Sequence, residues 1–204
     1  MPKSKYPFPE EPVSCFNDID LSLTYSYAHY LKWLFEDRVE LLQGKVSKMT
    51  GPSRLHQRVS GNIFLALGNY LESQPCQVYS APFDVRFPKE SKADEDIYTV
   101  LQPDICVVCD PGKLDDRGCI GAPDIVVEIL SPGNNKKELL NKYRIYEEFG
   151  VREYWIVSPS EKTFFKYTLV DGKYYPSKLF TLSEKVHSDI LPGFTLNLDK
   201  VFED

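Results

Sequence analysis

Apolar residues recur along this chain in two periods, and the switch between them outlines its elements. Tyr27, Tyr30, Leu31 and Leu34 follow Thr24 at helical spacing, which predicts a first helix capped by Thr24. Residues 39–42 and 45–49 flank Gln43-Gly44, a β-hairpin signal. Over residues 53–72, Leu55, Val59, Ile63, Leu67 and Tyr70 make one apolar stripe, predicting a longer helix. The period then shortens. Residues 76–87 and 97–109 read as strands on either side of a charged loop at 89–96, and a second loop at 111–119 leads into residues 124–130. That last run is almost continuously apolar, as in a buried central strand. Ser131-Pro-Gly-Asn-Asn135 breaks it, residues 136–149 form a helix stopped by Gly150, and residues 152–158 form another buried strand. The tail reads as short strands and turns, with Asp171-Gly172 as a hairpin signal. This order predicts an α/β domain built on a mixed β-sheet flanked by helices. Residues 1–22 are Pro-rich and aperiodic and are expected to form an arm, leaving residues 23–204 as one domain without internal repeats.

Composition narrows the class. With 42% hydrophobic and 26% charged residues the chain is ordinarily globular, and its longest apolar runs are too short and too acidic to span a membrane. Met1-Pro-Lys-Ser-Lys-Tyr lacks the apolar stretch of a signal peptide. Five cysteines cannot complete a disulfide framework, so a reducing, cytoplasmic setting is the simpler expectation. A net charge of −6 argues against a protein that coats nucleic acid, but not against a nucleic-acid enzyme whose catalytic carboxylates lower the total.

Two phrases carry candidate chemistry: Gln102-Pro103-Asp104, and Ala122-Pro-Asp124-Ile-Val-Val-Glu128. Pro103 cannot donate to a strand ladder, so it marks a strand start and puts Asp104 at a strand end. Glu128 lies inside an apolar run, where an ionised carboxylate needs a cation, a hydrogen-bond network or a proton. If the two strands are neighbours, Asp104 and Glu128 meet at one edge of the sheet. Paired carboxylates there favour either a shared proton or a bound Mg²⁺ or Mn²⁺, and a buried ion pair with Lys or Arg is the open alternative.

These phrases, together with Ile-Leu-Ser-Pro132, Lys142-Tyr-Arg-Ile-Tyr146, Gly150-Val-Arg-Glu-Tyr-Trp155, Glu40-Leu-Leu-Gln-Gly-Lys-Val46, His56 and Leu191-Pro-Gly-Phe194, resemble a restriction endonuclease family abundant in cyanobacteria. That family belongs to the PD-(D/E)XK nuclease superfamily, and the resemblance runs over roughly residues 24–203. It implies a restriction-endonuclease-like core that hydrolyses DNA with Mg²⁺ or Mn²⁺. Asp104 then corresponds to the superfamily aspartate and Glu128 to its second acid, the two metal ligands, while Glu40 matches an acid from the N-terminal elements. The superfamily lysine belongs two residues after Glu128, where this chain has Leu130. Lys142 on the next helix is the best migrated substitute, with Lys136 and Lys137 behind it. His56 becomes a candidate substrate contact. By analogy with double-strand cutters, a homodimer is expected.

Two competitors remain at this level: a catalytically inactive nucleic-acid-binding or structural module of the same fold, favoured by Leu130, and a glycosidase using Asp104 and Glu128 as its acid pair. The other conspicuous residues read as structural. His29 and His187 have no evident partners, and Asp84 and Asp124 suit hydrogen-bonding or capping. Asp94-Glu-Asp96 suits a solvated loop, and Tyr154-Trp155 suits the core. Cys106-Val-Val-Cys109 on a strand points its thiols to opposite faces, predicting free buried cysteines rather than a zinc site. Lys136, Lys137, Lys142 and Arg144 lie on or near one helix, whose face either contacts phosphate or is simply solvated.

Overall fold

The computed structural model describes residues 12–131 and 136–203. Residues 1–11 of the expected arm and residues 132–135 of the Ser-Pro-Gly-Asn-Asn break lie outside them.

The hydrophobic alternation is resolved into two six-stranded sheets and a two-stranded ribbon. In chain order the strands are β1 (Val39–Leu42), β2 (Lys45–Lys48), β3 (Gln77–Ser80), β4 (Val85–Arg86), β5 (Val100–Leu101), β6 (Ile105–Val108) and β7 (Leu114–Asp115). There follow β8 (Gly118–Ile120), β9 (Ile125–Ile129), β10 (Glu153–Ser158), β11 (Thr163–Val170), β12 (Lys173–Pro176), β13 (Lys185–His187) and β14 (Thr195–Asn197). The helices are α1 (Tyr27–Tyr30), α2 (Arg54–Leu71), α3 (Lys136–Phe149) and α4 (Leu198–Val201).

The central sheet runs β12-β11-β10-β9-β6-β3 and is mixed: β9 and β10 are parallel, while β6 is antiparallel to both β9 and β3. Alternation along its strands divides the core. Ile105, Val107, Ile125, Val127, Trp155 and Val157 pack against α2 and the β13–β14 ribbon. Cys106, Val108, Val126 and Tyr154 face α3 and the second sheet, ordered β2-β1-β5-β4-β8-β7. This is the expected α/β class with mixed sheets flanked by helices.

Several elements differ from the sequence expectation, each for a physical reason. The two long strands are both broken, and their halves enter different sheets. Residues 76–87 divide into β3 and β4 around Ala81-Pro82, whose peptide bond is cis. Residues 97–109 divide into β5 and β6 at Gln102-Pro103, where the missing proline N–H ends one ladder. The loop at 111–119 carries β7 and β8, which extend the second sheet. The first helix is a single turn capped by Ser26, not Thr24, and the Ser26 N–H donates to His29 Nδ1 at 3.1 Å. Thr24 instead packs on the β1–β2 turn: Gly44 has φ +82°, and a Cβ there would collide with Thr24 Cγ2. Cys109 is not free. It is joined to Cys76 in a disulfide across the β3–β6 pair, while Cys106 is buried and free as expected. Among the described residues no helix is long and apolar enough to cross a membrane.

In α2, capped by the Ser53 hydroxyl, His56, Val59, Ile63, Leu67 and Leu71 are buried. Leu55 and Tyr70 are only partly covered, so the stripe is rotated by one position and His56 belongs to it. The helix therefore tolerates change on one face and not the other. Ile63→Ala is expected to cost about 2–5 kcal/mol through its cavity. Gly61→Ala, whose new Cβ has no neighbour within 4 Å, is expected to gain about 0.5–1 kcal/mol from helix propensity. Urea denaturation of the two variants checks both signs.

Candidate active site

The register of the central sheet makes the two key acids neighbours. Ile105 pairs with Val127 across β6 and β9, so Asp104, just before β6, stands opposite Glu128. The main chain ties them further: Ile129 N–H donates to Asp104 Oδ2 at 2.7 Å. Asp104 Oδ1 lies 3.2 Å from His56 Nε2, brought from the first turn of α2. The side chain of Asp104 is 18% exposed, that of Glu128 11%. Asp104 stands at the surface of the site and Glu128 is set deeper.

Glu128 faces α3. Lys142 Nζ sits 3.1 and 3.2 Å from its two carboxylate oxygens, and the Tyr146 hydroxyl donates to Oε1 at 2.6 Å. Lys142 also donates to Glu40 Oε1 at 3.0 Å, and Glu40 is fixed in turn by the Gln102 N–H at 2.8 Å. Glu40 comes from β1 of the second sheet, so the single ammonium joins both sheets and α3. Glu40, Asp104, Glu128, Lys142 and His56, far apart in the chain, are thus brought into one connected set of contacts. Lys136, Lys137 and Arg144 are at the surface while Lys142 is 4% exposed. The candidate phosphate-contacting helix face therefore does not include Lys142, which is turned inward to the acids.

The electrostatics follow from one ammonium among three carboxylates. Burial disfavours the Lys142 ammonium, but Glu128 and Glu40 more than offset this and hold its pKa above the ordinary lysine range. Burial pushes the Glu128 carboxyl up to about 7; Lys142 opposes the shift, and Asp104 and Glu40 reinforce it. The two shifts agree physically: Lys142 is fully charged, and one positive charge is too few for the acids around it. Burial works against a charged His56, but its hydrogen bond and attraction to Asp104 prevail and raise its pKa.

Whether a divalent cation could be held here depends on the donors that the chain offers. Among the described residues no group of three or more His, Cys, Asp or Glu side chains is set to hold a metal ion together. The available donors are the carboxylates of Asp104 and Glu128. A two-carboxylate, all-oxygen set suits Mg²⁺ or Mn²⁺, which keep several waters or substrate oxygens, and does not suit a structural zinc site.

Asp104 and His56 open onto a groove of about 230 Å³ lined also by Arg38, Gln57, Ser60 and Gly61. Sequence reasoning missed three residues here. Tyr146 was legible in principle, since it stands four residues after Lys142 and so on the same helix face. Gln102 was quoted only as the neighbour of Pro103, and Arg38 had no signal at all. The residues read as structural have partners within the chain. Asp84 accepts from Gln102, Tyr27 and Tyr30. Asp124 accepts from the Cys109 N–H and from Arg152. His29 is buried at the α1 turn, and His187 lies 3.1 Å from the Thr195 hydroxyl. Asp94 pairs with Arg117.

A family model described as "Putative restriction endonuclease", named Uma2, matches residues 27–199. An uncharacterized protein of Synechocystis sp. is 27% identical over 132 residues, covering 63% of this chain and 66% of the relative's own length. The crystal structure of a nuclease assigned as putative, belonging to DUF820 from Anabaena variabilis, superposes with a TM-score of 0.70 at 18% identity. That match covers 87% of this chain and 97% of the other, and it shows a shared fold.

Glu128 makes stability depend on pH. A carboxyl whose pKa is raised by folding binds its proton more tightly in the native state. Its contribution is therefore complete below the unfolded value of about 4.5 and is lost as pH rises through about 7. In chelator, the unfolding free energy of the wild type is expected to fall between about pH 5 and pH 8. Glu128→Gln is expected to flatten that fall and to be the more stable protein at the upper end. Urea denaturation at several pH values measures this; parallel curves for the two proteins would refute it.

Proposed function

This chain belongs to the Uma2 family, and we propose that it is a DNA endonuclease that hydrolyses phosphodiester bonds with Mg²⁺ or Mn²⁺ held by Asp104 and Glu128. The observation that carries this reading is the convergence of Asp104, Glu128, Glu40 and Lys142 beside a polar groove. When bound, the ion offsets the charge that builds on the phosphoryl oxygens and acidifies water for attack. The rest falls to the chain itself. Asp104, held by the Ile129 N–H and His56, aims its carboxylate at the groove in a fixed orientation. Tyr146 and Lys142 hold Glu128 against rotation. Lys142 takes the place of the lysine that Leu130 displaces from the strand, and its charge lowers the cost of added negative charge on the phosphate. Glu40 keeps that ammonium charged and in place. His56, whose Nε2 is engaged by Asp104, lines the groove that the phosphate would enter. The protein acts as a homodimer, one protomer for each DNA strand.

One observation favours a second reading, an inactive module of the same fold: Lys142 is already engaged by both Glu40 and Glu128. Cleavage separates the two. Purified protein is expected to nick supercoiled plasmid with Mg²⁺ or Mn²⁺ and not with chelator. Asp104→Asn and Glu128→Ala are expected to lower the rate on the order of 100-fold or more while staying folded. Absence of nicking by the wild type, or equal nicking by both variants, would leave the inactive module. Light scattering of the active protein at twice the mass of one chain is the expected outcome for the dimer.

A further inference from the structure

Arg38 sits at the end of a hydrogen-bonded strut that has no counterpart in the catalytic set. Its Nε and Nη2 both donate to Gln102 Oε1, at 3.1 and 2.9 Å. The orientation of the Gln102 amide is set by its other end, where Nε2 donates to Asp84 Oδ1 at 2.8 Å and to the Tyr30 hydroxyl at 3.2 Å. Asp84 is anchored by the hydroxyls of Tyr27 and Tyr30, each at 3.3 Å. The backbone N–H of the same Gln102 holds Glu40. One residue thus fixes both the groove arginine and the acid that holds Lys142.

The chemistry of this strut is directional. Arginine is recruited where a planar fork must meet an anion in a fixed pose, and preorganising the fork removes part of the entropy cost of binding. In Arg38 two nitrogens are committed to a neutral amide oxygen. It makes no ion pair among the described residues, and Nη1 has no hydrogen-bond partner among them. A half-buried guanidinium without a carboxylate, lining the same groove as Asp104 and His56, is a charge positioned for an anion that comes from outside the chain.

Resting on the nuclease reading above, we propose that Arg38 clamps a backbone phosphate of the DNA in the groove beside Asp104, and that Gln102 is the positioning residue that aims it. The contact is uniform across ground and transition states, so it sets KM and affinity and leaves kcat nearly unchanged. Being a phosphate contact, it adds to the salt dependence of binding and carries no base preference.

The test measures binding of a fluorescent DNA duplex by anisotropy, in chelator so that cleavage cannot intervene, from low to moderate salt. Arg38→Ala is expected to weaken binding on the order of tenfold. It is also expected to reduce the slope of log affinity against log salt by about one. Arg38→Lys keeps the charge and loses the fork on Gln102, so it is expected to restore the slope and only part of the affinity. Gln102→Ala is expected to weaken binding with the wild-type salt slope and, in plasmid cleavage with Mg²⁺, to raise KM at nearly unchanged kcat. Lys173→Ala, which removes an equal charge from an exposed site, is expected to bind as the wild type does. Should Arg38→Ala not fold, Arg38→Lys and Gln102→Ala decide, since wild-type KM in both would overturn the clamp. Wild-type affinity and slope in a folded Arg38→Ala that still cleaves plasmid would overturn the clamp and leave the nuclease standing. No binding of DNA by the wild type would overturn both.

Discussion

The Lys142 ammonium, held between Glu40 and Glu128 at 3.0–3.2 Å, is the contact on which the rest of the arrangement depends. It comes from α3, while its partners come from one strand in each sheet. Burying any one of these charges alone would cost several kcal/mol, roughly, so α3 and the two sheets are compelled to meet at this point or not at all. Hydrogen bonds complete the pairing: Tyr146 to Glu128 and the Gln102 N–H to Glu40. The cluster nevertheless stays rich in acids, because Asp104, itself paired with His56, stands opposite Glu128 and brings a third carboxylate. A cluster so rich in acids is poor economy for stability alone and is understandable where a substrate or ion completes it.

A second buried acid shows the contrast. Glu153 on β10 is fully buried, yet it accepts from the Trp155 indole, the Ser188 hydroxyl and the Asp189 N–H, and pairs with Lys166. Lys166 in turn reaches Asp189 and the His187 carbonyl. Every acceptor is answered from within the chain, and the network staples the loop before β14 to the central sheet. Burial of a glutamate inside a strand therefore does not by itself mark a site. What distinguishes Glu128 is its company: further carboxylates nearby, and a path through Asp104 to an open groove.

The groove joins these parts to the surface. One wall is α2, whose His56 sits in its buried stripe with Nε2 on Asp104 and Nδ1 buried without a hydrogen-bond partner among the described residues. Arg38, just before β1 and braced through Gln102, also lines the groove. Because Gln102 also holds Glu40, displacement of the strand crossing at Gln102-Pro103 would disturb the groove arginine and the buried lysine together. The placement of Pro103, which ends one ladder and starts another, thus matters for the site as much as for the fold.

Much of this was legible in local pattern. The helix at 136–149, the hairpin at Gln43-Gly44 and the buried runs at 124–130 and 152–158 follow from periods of 3.6 and 2.0 and from turn chemistry, which depend only on near neighbours in sequence. The anomaly of Glu128 in an apolar run was visible for the same reason. Local pattern could not say which strands pair, and so it merged β3 with β4 and β5 with β6. It could not foresee that Cys76 and Cys109 face one another, or that Lys142 turns inward while Lys136, Lys137 and Arg144 do not. Nor could it foresee the Arg38–Gln102 strut, whose ends are 64 residues apart. Those outcomes turn on which distant surfaces bury each other and which buried polar atoms then find partners. The sequence by itself determined the elements and the suspect acids; only the tertiary structure decided their company, because satisfying a buried charge is a condition on the whole fold and on no single segment of it.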